Sequence, residues 1–389
     1  MSEPGATRGP AAIGKLQARL AALCGSARPR AVSAAVVKGD AIIDRWAAGR
    51  IGDAPETAGV DTDSRFLVAS LSKPVTAAAF MRLVEDGEIT LTMPIGRVLP
   101  QFAGGAKDGI QVWHLLTHTS GLPDMVAENV SLRERQADLS EFFECVCRAP
   151  LLFAPGEAVG YQSMGFLVLA TLVERIAGEP FRRFVAREIF EPAGMSRSEF
   201  GVSEFSVQAP YVQVELPDGQ QSVGWHWNSR YWRTLGAPWG GLVTTALDLV
   251  TFVSLFLNEG RAPGGRRVLS PAAVAEMCRD RTGNRAPGLP TLGLGWLIRG
   301  DPGRWSDSGT RNRLGSDPTL VSTAADFVFD RAFFGDLMSR HAIGHTGATG
   351  CVMWADPRLR VAGVVLTSSP ATLANGAIPR LANLVAAQR

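Results

Sequence analysis

Two pairs of short apolar runs frame the chain. Ala31 to Val37 and Ala41 to Ala47 flank the polar triplet Lys38-Gly39-Asp40, a pattern that predicts a hairpin. Near the other end, Gly350 to Trp354 and Val361 to Leu366 flank Asp356-Pro357-Arg358 and predict a second one. Between them the apolar positions recur at helical spacing. Helices are expected over Ser70–Glu85, Met164–Ala177 and Asp248–Asn258, the last with Thr245 and Asp248 as a capping pair and Gly260 beyond its end. Two more are expected at about 13–25 and over Pro379–Gln388, the second with proline at its start. Residues 1–12 are small and polar and predict a disordered N-terminus. Asp301 to Asp317 lacks periodicity and reads as a surface loop or insertion.

Strand pairs at both termini around a helical middle predict an α+β fold. One antiparallel sheet is built from both chain ends (13–75 and 290–389) and flanked by helices, with a mostly helical region (76–289) inserted. At 389 residues the chain can bury a large core.

Composition narrows the partners. With a formal charge of +2 there is no electrostatic case for nucleic acid or an anionic membrane. No run approaches the roughly 20 apolar residues of a membrane span. Met1-Ser2-Glu3-Pro4-Gly5 carries neither a basic stretch nor an apolar one, so no secretory leader is expected. Five cysteines without framework spacing suit a reducing compartment, and a cytoplasmic location is expected. Cys145 and Cys147 are too close for an ordinary disulfide or a zinc site and read as packing residues. His114 and His118 are four apart but lack the glutamate of a zinc protease, so they read as helix-end and polar contacts. No metal and no cofactor are expected.

The chemistry begins at Ser70-Leu71-Ser72-Lys73, in a chain with only four lysines. Residues three apart share a helix face, which puts the Lys73 amine beside the Ser70 hydroxyl. A serine is a poor nucleophile until a neighbouring base takes its proton. A buried lysine can be that base, because desolvation lowers its pKa. The bland alternative is a capped N-terminal turn with the lysine in solvent.

Further segments decide between the two. Tyr161-Gln162-Ser163 precedes a helix, and His345-Thr346-Gly347 leads into the C-terminal hairpin. His114-Leu115-Leu116-Thr117-His118-Thr119-Ser120-Gly121-Leu122 lies between the first two motifs, and Gly236-Ala237-Pro238-Trp239-Gly240-Gly241-Leu242 follows the second. In this order the segments resemble the serine β-lactamase and penicillin-binding protein superfamily, closest to class C β-lactamases and family VIII carboxylesterases. The likeness runs over roughly residues 30 to 370.

The resemblance implies a β-lactamase/transpeptidase-like fold and an acyl-enzyme on Ser70, with Lys73 and Tyr161 as the coupled acid and base. It places the oxyanion-holding N–H groups at Ser70 and Ala348, and substrate contacts at Ser163, His345, Thr346 and Gly347. The aromatic cluster Trp225, Trp227, Tyr231, Trp232 and Trp239 reads either as core or as a wall for the acyl group, with Trp239 taken as a substrate contact. No G-x-S-x-G occurs, which disfavours an α/β-hydrolase elbow.

Two departures from the family pattern matter. His345 stands where lysine usually helps recognise a substrate carboxylate, and Ser163 where asparagine is usual. With a cytoplasmic location, these point to a small-ester hydrolase. An acyltransferase or biosynthetic thioesterase is the alternative, followed by a β-lactamase or D-alanyl-D-alanine carboxypeptidase. A catalytically silent binding module is the non-enzyme reading.

Overall fold

The computed structural model describes residues 9–25, 28–54, 57–202, 211–216, 223–282, 291–301, 331–374 and 376–388. Among the described residues, ten strands form two sheets. The larger has the order β2 (Ala41–Gly49), β1 (Ala31–Lys38), β10 (Val361–Thr367), β9 (Cys351–Asp356), β8 (Ile343–Gly347), β7 (Leu297–Ile298). All its pairings are antiparallel, so both expected hairpins form and β1 joins them by pairing with β10.

The central strand β1 is buried along seven of its eight residues, and its side chains divide by parity. Val32, Ala34 and Val36 face a layer containing Leu16, Leu20, Leu381 and Val385. Ala31, Ala35 and Val37 face the main core with Val75, Leu249 and Val253. This is the period of two expected of a strand covered on both faces. The terminal helices Gly9–Cys24 and Ala377–Ala386 form one cover, and Ala246–Ser254 lies against the other face. Edge strand β2 carries the polar positions Asp44 and Arg45, in keeping with an edge that faces solvent.

Several boundaries differ from expectation. The first helix starts at Gly9 rather than near residue 13, because Pro10 falls in the first turn, where no intrahelical N–H is needed. Residues 1–8 lie outside the described residues, as does all but the start of the 301–317 stretch. The helix expected from Asp248 runs over Ala246–Ser254. Its cap is one-sided: Asp248 N–H donates to Thr245 Oγ1, while the Asp248 carboxylate accepts from Arg197 N–H and Ser198 Oγ.

The inserted region is less purely helical than its pattern suggests. A small second sheet has the order β4 (Glu199–Phe200), β6 (Leu242–Thr244), β3 (Arg65–Leu67), β5 (Tyr211–Val212). Strands of two or three residues are too short to show a period, which is why only the structure reveals them. Strand β3 leads straight into the turn that carries Ser70. Among the described residues, no helix is long and apolar enough to cross a membrane.

Candidate active site

Ser70 sits in the tight turn Ala69–Leu71, immediately before the helix Ser72–Glu85. Ala69 has φ +46°, a left-handed backbone that an alanine adopts at a cost of about 1–2 kcal/mol. The surroundings hold it there. Val68 N–H donates to Leu242 O, and Thr349 Oγ1 donates to Leu67 O. Ser72 Oγ donates to Ala69 O at 2.6 Å and accepts from Leu242 N–H at 3.0 Å. Ser72 is therefore a fully buried pin between the Ser70 turn and β6. The turn is over-determined.

Three residues on, Lys73 is completely buried, one of the largest side chains with no exposure. Its Nζ donates to Ser70 Oγ at 3.1 Å and to the Trp239 carbonyl at 3.0 Å. It also lies 4.6 Å from the Tyr161 ring centre. Burial pushes its pKa down from 10.5 to about 7, opposed by the charge of Asp124. The solvent-facing lysine of the bland reading is excluded.

Tyr161 is 9% exposed. Burial raises its pKa well above 10; the Ser70 hydroxyl pulls it down and Asp124 pushes it further up. The phenol therefore holds its proton at neutral pH. His118 stacks on its ring, with centroids 4.6 Å apart and planes at 27°. The stacked histidine is neutral, since burial first and Lys73 second hold its pKa well below 6.5. His118 Nδ1 accepts the Gln162 N–H at 3.1 Å. Gln162 Oε1 in turn accepts from Ser120 Oγ at 2.5 Å. The buried run Thr117-His118-Thr119-Ser120 is thus the bed on which Tyr161-Gln162-Ser163 rests.

Ser163 precedes the helix Met164–Ala177, and its N–H donates to Asp124 Oδ1 at 2.8 Å. Asp124 belongs to no motif recognised in the sequence, yet it holds Ser163 and acts on Lys73 and Tyr161. His114 accepts the Gln111 N–H and completes a capping box, so neither histidine is placed as a ligand. Among the described residues, no cluster able to hold a metal ion occurs.

Strand β8 forms the other side. A Cβ at Gly347 would stand 2.2 Å from Val68 O, so only glycine lets β8 lie against the Ser70 turn. That contact carries the half-buried Ala348 next to the Ser70 turn. Thr346 is 7% exposed, and its carbonyl accepts from His345 Nδ1 at 2.7 Å. A carbonyl can only accept, so Nδ1 bears the proton and Nε2 is a bare acceptor. His345 is buried, and burial together with the Lys73 charge takes its pKa down to about 3.

One expectation needs correction. Trp239 is 4% exposed, with its indole 6.1 Å from Phe142, so its ring is core. It serves the site through its backbone, as the carbonyl that holds Lys73. Tyr231 and Trp232 are buried as well, while Trp225 and Trp227 are half-buried. Of the two readings of the cluster, the core one describes the buried Tyr231, Trp232 and Trp239.

Comparison with known proteins bears on the family and the fold. The family model "Beta-lactamase" matches residues 16–388. Esterase EstB of Burkholderia gladioli is 32% identical over 273 residues, covering 60% of this chain and 65% of that protein. Penicillin-binding protein 4 of Amycolatopsis lactamdurans is 30% identical over 253 residues, covering 61% of this chain and 64% of that protein. Each match spans just under two thirds of the relative's length. The solved structure of a family VIII carboxylesterase shares the fold, with a TM-score of 0.72 at 18% identity over 98% of this chain and 100% of that one.

Proposed function

This chain belongs to the beta-lactamase family, and on that premise we propose that it is a serine hydrolase that cleaves small acyl esters through a covalent intermediate on Ser70. The observation that carries the reading is the contact of Lys73 Nζ with Ser70 Oγ at 3.1 Å, made by an amine whose pKa is about 7. Half of such amines are neutral at pH 7 and can accept a proton.

In the acylation step Ser70 Oγ attacks the ester carbonyl carbon while Lys73 takes the hydroxyl proton. The N–H groups of Ser70 and Ala348 hold the developing oxyanion. The carbonyl–oxygen bond to the alcohol then breaks, and the departing alkoxide takes a proton delivered through Tyr161 or Lys73. Water repeats the sequence on the acyl-enzyme, releasing the acid and restoring Ser70. A phenol with a raised pKa is a proton carrier rather than a resting base, which supports Lys73 in the basic role. Likeness to an esterase supports ester cleavage generally.

A neutral His345 supports esters over β-lactams. The family's lysine offers a cation to a substrate carboxylate, whereas His345 offers a lone pair.

Intact-mass spectrometry with p-nitrophenyl acetate and butyrate tests the reading. A transient acyl adduct on the wild type, absent with turnover from Ser70→Ala, is the expected result. Undiminished turnover by Ser70→Ala would overturn it. Product appearing as a new ester when an alcohol is added would move the protein to the acyltransferase branch.

A further inference from the structure

Arg133 lies in the short helix Asn129–Glu134, outside every motif of the site. Its guanidinium carbon stands 4.5 Å from the ring centre of Trp232 and 5.3 Å from that of Trp225. Its Nε donates to Asn129 Oδ1 at 2.7 Å. Among the described residues, no carboxylate comes within ion-pair distance of it. Burial lowers its pKa to about 10, with Tyr231 and Asp124 pulling it back up, so it stays charged at neutral pH. Arg133 is half-buried and its attracting carboxylate, Asp124, stands beyond ion-pair distance, which leaves the guanidinium able to take a closer anion.

Its position ties it to the site. Asp124 acts on Arg133, and the same carboxylate holds Ser163 and acts on Lys73. Trp232, the indole nearer to Arg133, reaches the nucleophile turn: a Cβ on Gly240 would touch both its Cζ2 atom and Ala69, each at 3.9 Å. The neighbouring indole N–H of Trp232 is buried without an acceptor. The buried Trp232 indole N–H and the Arg133 fork beside it are therefore two donors with spare capacity on this side of the Ser70 turn. Two indoles flank the guanidinium and fix it, leaving N–H groups of its fork for a planar anion.

We infer that Arg133 selects acyl groups bearing a carboxylate, so that the preferred substrates are half-esters of short dicarboxylic acids. The inference rests on the hydrolase reading and names its substrate class. The cation that strand β8 lacks at His345 is supplied from the Asp124 side of the site, where it meets a different part of the substrate.

Three methyl esters of equal length test it: monomethyl glutarate, the neutral methyl valerate and the cationic methyl 4-aminobutyrate. In the wild type kcat/KM should favour the glutarate over the valerate by about 10- to 100-fold, the range of a hydrogen bond to a charged group. Arg133→Gln should bring that ratio to within about threefold, and Arg133→Lys should keep part of it, because it keeps the charge and loses the fork. An equal ratio in wild type and Arg133→Gln, or a wild-type preference for the aminobutyrate, overturns the inference alone. Failure of all three esters and of a fluorophosphonate probe to modify Ser70 overturns the hydrolase reading beneath it.

Discussion

Lys73 Nζ is held between Ser70 Oγ at 3.1 Å and the carbonyl oxygen of Trp239 at 3.0 Å. The contact joins Ser70, the nucleophile of the proposed reaction, to an amine that burial makes reluctant to stay charged. Rate and stability both follow from that single arrangement.

For the rate, the proposed mechanism makes the form with a neutral amine the active one. A pKa lowered to about 7 means that kcat/KM for a neutral ester should rise as pH increases through 7 and level off above it. Below the limb the loss is tenfold per pH unit. Lys73→Arg keeps a cation that cannot deprotonate, so turnover should fall by about 10²–10⁴ at every pH. A limb near pH 4 or pH 10 in the wild-type profile would remove Lys73 as the base.

For stability, the sign runs the opposite way to a salt-bridged lysine. The unfolded chain keeps its proton up to 10.5 and the folded protein gives it up near 7. In that window the unfolded state binds more protons, so stability rises with pH from about 7 to about 10.5. Lys73→Met removes the cost of burying the amine while losing its hydrogen bonds. It should be about 1–3 kcal/mol more stable than wild type at pH 7 in urea, with the gain shrinking towards pH 10, and it should be inactive. A loss of stability at pH 7 would show that the two hydrogen bonds outweigh the desolvation.

Asp124 sets the position of the same limb. Its charge raises the Lys73 pKa against burial, so Asp124→Asn should move the acid limb of kcat/KM to lower pH. Asp124 is exposed, and solvent screening keeps the shift to roughly 0.2–0.7 of a pH unit, the equivalent of a surface charge pair. The amide oxygen can still accept the Ser163 N–H, so the maximal rate should change less than the midpoint does. A limb that moves upward would contradict the stated electrostatics.

The parts of this site that were legible in the sequence are those where chemistry forces a residue type. Ser70 and Lys73 are tied by helical spacing, and Tyr161 and His345-Thr346-Gly347 by family motifs in order. The hairpins were legible because β1 and β10 keep a period of two on buried faces. Asp124, Ser72 and Arg133 were not. Each acts through a contact with a residue 39 to 170 positions away or with rings brought close by folding. No local pattern encodes such a pair. Trp239 shows the same limit, because sequence marks its indole and hides that the backbone turns its carbonyl towards Lys73.

Gly347 makes a steric prediction. A methyl group there meets Val68 O at 2.2 Å and Leu71 Cδ1 at 3.1 Å, and the first of these is backbone that cannot rotate away. Gly347→Ala should push β8 from the nucleophile turn, costing about 1–3 kcal/mol in thermal or urea melts. The displacement also carries Ala348, so kcat should fall by about 100-fold, the effect of a lost oxyanion donor, while KM changes little. A stable variant with full kcat would mean that Ala348 takes no part.

On the proposed reading, His345 separates esters from β-lactams through its charge. Its Nδ1 proton is committed to the Thr346 carbonyl, and a pKa near 3 leaves Nε2 bare across the working range. Without a cation here, kcat/KM for a chromogenic cephalosporin should lie at least about 100-fold below that for p-nitrophenyl butyrate, the worth of one charge-assisted hydrogen bond. Both substrates share the Lys73 limb, so their ratio should stay constant between pH 5 and 8. Were the imidazole to protonate near its ordinary pKa of 6.5, it would become a carboxylate binder as pH fell. The cephalosporin would then gain on the ester towards pH 5. A flat ratio keeps His345 as a neutral acceptor; a ratio that tilts towards the cephalosporin in acid makes it a cation after all.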